Sequence, residues 1–455
     1  MADGVLQYIG ARYVPQFYLN SDGTPEWKPG VAFEPLTIVT WNNNSYTSRK
    51  PVPAEIGEPS VNPEYWAQTG VYNAQIGQLQ TDVSNLQSDV EDLQEETDKI
   101  YWYTPEMFGA VGDGETDDSA AFQAMFNAIP VGAVVKITKP LYLVNSTITI
   151  AVNDCKMLGV ARGEYTPCIH TNMSSGILFA VRSYGFRVES IMFQGDDIAN
   201  ALTLMDFNRD TIDADGNIDA NVIDCSFYKS YIGVGGHGRN VNFFNNIFSA
   251  CRRGIMLFQP TISSIGARGY WVSTNRFHGC TYCLWNDINS AVAVKNVIME
   301  NNFCDVGNTF FAGFGDGVYI IGNVIEALSG IGQSQMIGMN AGGVNDTSLM
   351  NVIQDNVLVG GPNTTDGIFI NNGVKVVISN NVLKHCNRNG IGINADSLAF
   401  IKNNIVILGS TLPGAHPIAI AASATGACVD NIIYNTQGIT GGAGMTVDRN
   451  TVVNP

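Results

Sequence analysis

The feature that most limits what this chain can fold into is a phrase that keeps returning. It is an alternating apolar stretch, then two small polar residues usually ending in Asn, then more apolar residues. It reads VNFFNNIF at Asn246, VIMENNF at Asn302, VYIIGNVI at Asn323, NVIQDNVL at Asn356, VVISNNVL at Asn381, AFIKNNIV at Asn404, ACVDNII at Asn431 and MTVDRNTV at Asn450, with a looser copy at Asn275. The steps between neighbours are 29, 27, 21, 33, 25, 23, 27 and 19 residues, the length of one coil in a solenoid of short strands. Val, Ile and Phe alternate with polar residues at strand spacing, so one face of each strand can be buried against the coils above and below. Asn suits the corner, because its short amide tolerates left-handed backbone and stacked amides can bond one another from coil to coil. A β-sandwich with Asn-rich turns would repeat about every 8–12 residues, well short of the observed period. The expected fold is all-β, a right-handed parallel β-helix.

Composition agrees and sets limits. A chain of 455 residues with 48 Gly and only 14% charged residues suits a turn-rich, strand-rich body with a long core. The chain opens without an apolar run behind a basic start, and no apolar stretch reaches about 18 residues. Neither a signal peptide nor membrane insertion is expected, and synthesis is expected in a cytosol. The nine Cys read as buried free thiols rather than a disulfide frame. Cys280 and Cys283 have metal-like spacing but lack a second pair nearby. A net charge of −17 repels a phosphate backbone, so no nucleic-acid partner is expected. Locally the sign reverses, since His237 to His278 holds Arg239, Arg252, Arg253, Arg268 and Arg276 and no Asp or Glu. Spread over two coils, these are candidates to hold carboxylate or phosphate groups of an anionic glycan. Scattered Arg solvating coil corners is the alternative reading.

Three segments precede the coils. Residues 1–70 are aromatic and Pro-rich, a small β module whose rings form its core or, where exposed, stack on sugars. Residues 71–101 carry Ile76, Leu79, Val83, Leu86, Val90, Leu93 and Ile100 at alternating steps of three and four, with Thr97 in the remaining slot. That pattern predicts a coiled coil and hence a homo-oligomer, although the flanking Gln80, Asp82, Gln87, Asp89, Gln94 and Glu96 offer no partner code. From residue 102 to residue 455 the solenoid is expected, entered through a cap helix at about 117–129. Asp117 or Asp118 would cap that helix, and Ala120, Phe122, Met125, Phe126 and Ile129 would plug the open end. The turn and the cap account for Asp113, Glu115, Asp117 and Asp118 better than chemistry does.

FGAVGDGETDDSAAFQAMFNA resembles the opening motif of the pectate-lyase-like β-helix superfamily, as found in bacteriophage tailspikes and appendage proteins. GARYVPQF, LTIVTWNNNSYTSRKPVP and YWAQTGVYNAQI are similar to a small module that precedes coiled coils in virion proteins of phages infecting Gram-positive bacteria. The resemblance covers most of the chain and is specific for fold, weak for activity. It implies a homotrimeric spike or fibre in the virion, attached to other tail or head proteins through residues 1–101 and binding a host surface polysaccharide or teichoic acid.

No residue pattern of a characterised lyase is present, so a site must come from register. Three residues past the corner Asn lie His278, Asp305 and Glu326 on successive coils. Neighbouring coils are ~4.8 Å apart, close to the roughly 5–5.5 Å between carboxyls of a retaining glycosidase. Like-charge repulsion would raise the pKa of one acid and make it the proton donor, with His278 as a base or its orienter. Glu300 and Asp316 are reserve candidates on the same coils. Asp213, Asp215, Asn217, Asp219 and Asp224 are spaced like a calcium loop, but Ile218 stands where that loop needs Gly, and an acidic hairpin explains them equally. No cofactor is required; calcium is the one to test. Outward positions before the corner Asn hold Phe244, Ile298, Tyr319, Ile321, Val352, Val377 and Phe400, a face expected to bury against sister chains. The last copy ends at Asn450, so the expectation is either cleavage of a C-terminal segment or another protein capping that end.

Four functions remain open at this stage. An attachment protein that depolymerises its glycan predicts paired acids in an inter-coil groove and shortened polymer. A pure adhesin predicts binding alone, and a structural fibre predicts neither. A bacterial polysaccharide lyase is the fourth, set back by the missing signal peptide.

Overall fold

The computed structural model describes residues 15–70, 72–99, 102–160, 166–199, 201–207, 217–236, 239–257, 268–286, 295–305, 307, 309–327, 334–340, 349–361, 363–409, 414–434 and 437–453. The chain divides into two units, residues 1–101 and 102–455.

In the first unit four strands, Gln16–Phe17, Thr37–Trp41, Asn44–Ser48 and Trp66–Gly70, form one sheet in that order. The hairpin turn between the two middle strands falls on Asn42 and Asn43, with φ of 48° and 64°, the left-handed pair that a tight hairpin demands. The core is mostly rings: Trp27, Phe33, Tyr46 and Trp66 are buried with Val39 and Val52, which removes those four from any sugar-stacking role. Helix α1 (Tyr72–Lys99) follows. Its Leu79, Val83, Leu86 and Val90 are all exposed, an apolar stripe along the helix.

The second unit is the parallel β-helix. A full coil supplies three strands, as in Lys295–Glu300, Phe303–Asp305 and Thr309–Phe314. First strands stack into a 14-stranded sheet, and second and third strands run together in a 24-stranded sheet. Every pairing between successive coils is parallel and keeps the ladder Asn in one column, so Val297, Met299 and Cys304 on one coil lie over Val318, Ile320 and Ile325 on the next. Those inward columns are fully buried. All nine Cys are free and buried.

The corner works by a division of labour that the repeat did not reveal. Each ladder Asn from Asn246 to Asn431 is buried. Its backbone N–H and its Nδ2 both donate to Oδ1 of the next Asn, as from Asn323 to Asn356 at 2.9 Å each and from Asn356 to Asn381 at 3.0 and 2.9 Å. The second Nδ2 hydrogen goes to a carbonyl of the preceding coil, Ile320 in the case of Asn356. The ladder amides are therefore satisfied along the column, which is the condition for burying them. The left-handed residue is instead the one before: Asn245, Thr274, Asn301, Gly322, Asp355, Asn380, Asn403, Asp430 and Arg449 have φ between 50° and 68°. The two polar residues of the phrase thus divide the work, one turning the chain and the next bonding the coils.

Helix α2 (Ser119–Ala128) closes the N-terminal end, burying Phe122, Met125 and Phe126. It is shorter than the expected 117–129 because both acids before it serve the turn. Asp118 stands at the N-cap position but reaches back, accepting from Val111 and Gly112 N–H at 2.7 and 3.1 Å. Asp117 accepts from Ser119 and Asn145 N–H at 3.0 and 3.3 Å. Asp113 accepts from Glu115 and Thr116 N–H at 2.9 and 2.7 Å. Three acids of the opening motif thus bond the turn rather than gather around a ligand. No helix among the described residues is long and apolar enough to cross a membrane.

Candidate functional site

Register places the three sequence candidates in one outward column of second strands. His278 lies over Asp305, and Asp305 over Glu326. The inward Phe277, Cys304 and Ile325 precede them in the same strands and are buried, so alternation turns the next residue outward. Neighbouring members are one strand spacing apart, ~4.8 Å at the backbone.

The side chains divide this column unequally. Asp305 bonds toward the preceding coil with both oxygens: Oδ2 accepts from Arg276 Nη2 at 2.8 Å, and Oδ1 meets Nδ1 of His278. Its side chain is 13% exposed, whereas that of His278 is 52% exposed. Burial raises the Asp305 pKa, but the bonds from Arg276 and His278 outweigh it and hold the carboxyl below the usual value. Asp305 is therefore ionised, and the proton donor expected of one acid in the pair is not Asp305. Arg276 also lies over the ring of Phe303 at 5.7 Å.

The reserve acids are committed elsewhere. Glu300 ends the first strand of its coil and accepts from Trp271 Nε1 at 2.9 Å. Asp316 is 1% exposed, pairs with Lys295 Nζ at 2.9 Å and accepts from Leu349 N–H at 3.0 Å. Both are on the first-strand side of the coil, away from the Asp305 column.

The five arginines are not one patch. Arg239 and Arg268 open successive first strands and lie in register, followed by Lys295. Arg276 belongs to the second strand Arg276–His278. Arg252 and Arg253 fall where the long strand Ile247–Leu257 passes from the second strand position to the third. There they stand over the Tyr231 ring at 4.9 and 5.0 Å, and Arg253 also over Trp285 at 5.1 Å. Trp285 meets Tyr282 edge-on at 4.4 Å. Tyr231, Tyr282 and Trp285 were not singled out from sequence; the interleaving of Arg253 with the following TYCLW is the signal that would have found them.

The calcium candidates are only partly within the described residues. Asp213 and Asp215 lie outside the described residues. Asn217 opens the strand Asn217–Ile223, Asp219 falls within it and Asp224 just past its end. Asp219 accepts from Asn240 Nδ2 at 2.8 Å, and Asp224 from Asn245 Nδ2 at 2.5 Å. Along a strand, five residues separate those carboxylates by roughly 16 Å, too far to share an ion. No group of three or more His, Cys, Asp or Glu among the described residues is arranged to hold a metal.

Of the expected outer face, Ile298, Tyr319, Val352, Val377 and Phe400 share one column, whereas Phe244 and Ile321 stand in the neighbouring column with Ser273, Glu300 and Gln354; Trp271 was not expected. Trp271, Ile298, Tyr319, Val352, Val377 and Phe400 form one outward column on six successive first strands. Trp271, Tyr319 and Phe400 are exposed.

No protein-family signature matches the chain, and no curated protein sequence matches it. Its fold does match solved structures. Tailspike protein 3 of bacteriophage CBA120 superposes with a TM-score of 0.50 at 14% identity, over 92% of this chain and 75% of that one. The catalytic unit of a GH87 α-1,3-glucanase from Streptomyces thermodiastaticus gives a TM-score of 0.49 at 14% identity, over 77% and 68%. PfbA, a surface adhesin of Streptococcus pneumoniae, gives 0.41 at 13% identity, over 77% and 90%. The fold is thus a parallel β-helix, as in that tailspike protein.

Proposed function

We propose that this chain is a virion host-attachment protein of the tailspike type, whose solenoid binds a bacterial cell-surface polysaccharide or teichoic acid and cleaves it. The observation that carries the reading is the outward column His278, Asp305, Glu326, in which one carboxylate is held ionised by an Arg and a His while a second lies one coil on. Both oxygens of Asp305 are taken, so it serves better to orient His278 than to attack a sugar. His278 then acts as the base on a water and Glu326 as the proton donor to the leaving oxygen. Their strands are two spacings apart, ~9.6 Å, near the roughly 6.5–9.5 Å of inverting rather than retaining glycosidases. This replaces the Asp305–Glu326 nucleophile pair suggested by spacing alone.

Three copies per spike is the stoichiometry that the tailspike resemblance implies, and two apolar faces exposed among the described residues, the stripe on α1 and the Trp271-to-Phe400 column, support self-association. Sedimentation equilibrium should return three chain masses; a monomer overturns that part. Residues 1–101 would dock to other tail or head proteins of the particle, as the resemblance implies.

The decisive experiment incubates the oligomer with wall polysaccharides and teichoic acids from candidate hosts and follows polymer length by size-exclusion chromatography. One polymer should shorten, with E326Q and H278A each abolishing shortening and retaining fold. Cleavage unchanged in the D305N/E326Q double variant sinks the catalytic assignment. A second reading, a non-enzymatic adhesin, is favoured by the same ion pair, since Arg276 and His278 on Asp305 are also what an ordinary inter-coil salt bridge requires. It predicts co-elution with intact polymer.

A further inference from the structure

Two guanidinium groups on the solenoid have no acid partner among the described residues. Arg252 and Arg253 rest on the Tyr231 ring, and Arg253 also on Trp285. Among the described residues Arg253 makes one weak bond, from Nη1 to Met256 Sδ at 3.3 Å, while its buried Nε has none. In a chain with 41 acidic residues against 24 basic ones, a pair of arginines left with rings instead of carboxylates is conspicuous. Elsewhere on this solenoid arginines find acids: Arg182 pairs with Asp206, Arg276 with Asp305, Arg388 with Asp366 and Arg449 with Asp430.

The rings are placed to be useful. Tyr231, Arg253 and Tyr282 belong to three successive coils, with Ile232, Arg253 and Tyr282 in one register column. Trp285 and Tyr282 pack edge-on, and all three rings are partly exposed. Arg252 is exposed. Tyr282 follows His278 by four residues on the same coil, so the two backbones are within ~14 Å. A ring that carries a cation is a surface where apolar contact and positive charge coincide.

The geometry points to a subsite for an anionic sugar beside the His278–Asp305–Glu326 column. The ring of the sugar lies against Tyr231, Tyr282 or Trp285, and its carboxylate or phosphate is accepted by Arg252 and Arg253. The inference rests on the reading that this solenoid binds a cell-surface glycan, and it narrows the glycan to an acidic one. The same chemistry has two sources, a uronic acid in a polysaccharide or the phosphodiester of a glycosylated teichoic acid. Guanidinium recognises either by paired, charge-assisted bonds.

The test titrates the full-length oligomer by calorimetry with three probes: polygalacturonic acid, a glycosylated wall teichoic acid and neutral dextran. The variants are R252Q/R253Q, W285A and, as a charge control on other strands, K375Q/K402Q. The expected result is binding of at least one anionic probe, weakened about tenfold or more in R252Q/R253Q, weakened by raised salt, and reduced in W285A. The control should stay within about twofold. Binding of polygalacturonate alone assigns the carboxylate, and of teichoic acid alone the phosphate. The inference falls if R252Q/R253Q binds as the parent does, if dextran binds as tightly as the anionic polymers, or if no anionic probe binds. Cleavage of a neutral polymer that depends on Glu326 and ignores Arg252 and Arg253 would leave the proposed function standing and remove this subsite. Platform-dependent binding with no polymer shortened would do the reverse.

Discussion

The two halves of the solenoid share one framework and use it differently. From Phe193 to Phe277 the inward column of second strands is a stack of phenylalanines, with Phe193, Phe227, Phe248 and Phe277 at centroid distances of 5.0–5.3 Å and planes within 12°. From Cys304 onward the same column is Ile325, Leu358, Leu383, Val406 and Ile433. The outward column beside it changes as well. It runs His170, Gln194, Tyr228, Ser249, His278, Asp305, Glu326 in the first half and Val359, Lys384, Ile407, Tyr434, Val453 in the second. Throughout the second half, and in the first from Asn246, the same amide ladder continues unchanged. The inward choice is thus about filling volume and the outward choice is free for chemistry, and the two columns do not change at the same coil: the core turns aliphatic at Cys304, while the outward column stays polar through Asp305 and Glu326 until Val359.

The sharpest way to break the framework is at the ladder. In N356A the buried backbone N–H and Nδ2 of Asn323 both lose their acceptor, at roughly 1–3 kcal/mol for each unsatisfied donor. A loss of about 4 kcal/mol should appear in denaturant unfolding. The same change at Asn450, which is half-buried at the end of the ladder, should cost less than half as much. Equal costs at the two positions would mean that the ladder contributes by conformation and not by burial.

A smaller effect tests whether the two cores are interchangeable. F248L converts one ring of the stack to the aliphatic type of the second half. It should cost about 1–2 kcal/mol, from lost volume and from two stacked contacts. If binding of the glycan is also unchanged, the aromatic core is a packing solution independent of the outward site. A loss beyond about 4 kcal/mol would show that the stack is a unit that one aliphatic residue cannot join.

Much of this was legible because the repeat carries its own ruler. The Asn fixes the first and second strands of each coil, so counting three past Asn275, Asn302 and Asn323 put His278, Asp305 and Glu326 in one column. Counting back found Ile298, Tyr319, Val352, Val377 and Phe400 of one apolar column, missed Trp271 at its head, and mixed in Phe244 and Ile321 from the column beside it. What the count could not reach was anything beyond the second strand. Asn marks the end of the third strand only on some coils, as at Asn286, Asn340, Asn371 and Asn394, and coil lengths vary around it, so Tyr231, Arg252 and Trp285 could not be aligned by arithmetic. The arginines looked like one patch because sequence proximity hides which side of the coil each residue falls on. Of the calcium candidates, Asp219 and Asp224 are parted by the strand Asn217–Ile223, because a strand pulls its residues apart. Side-chain choices such as Asp305 turning back toward Arg276 depend on local geometry that no periodicity contains.

Acid pH sharpens the outward comparison. The folded-state pKa of Asp305 lies below the usual 3.8. The ion pair therefore contributes stability that is present above that value and is lost as pH falls through the folded pKa. R276Q should lower Tm at pH 7, and the gap from the parent should begin to close as the pH drops below about 4 and vanish once it has fallen through the folded pKa. K384Q, in the same outward column of the second half between Val359 and Ile407, should show a gap that does not change with pH across that window. A gap for R276Q that persists in acid would assign the loss to packing on Phe303 instead of charge.

The smallest effect concerns the turn residue of the looser copy. Thr274 holds φ of 59°, where a β-branched side chain is strained and Asn is tolerated. Asn245 and Asn301, one coil to either side, already occupy the same turn. Thr274 offsets part of its strain by accepting from Asn245 N–H at 3.2 Å and donating to the Ser273 carbonyl at 2.6 Å. Asn at this position can stack with those neighbours as Asn245 does on Asp224, and it relieves the backbone. T274N should therefore stabilise by about 0.5 kcal/mol, read as a small rise in Tm. A fall would mean that the hydroxyl bonds outweigh the strain, and that the looser copy departs from the phrase because it serves the site next to His278.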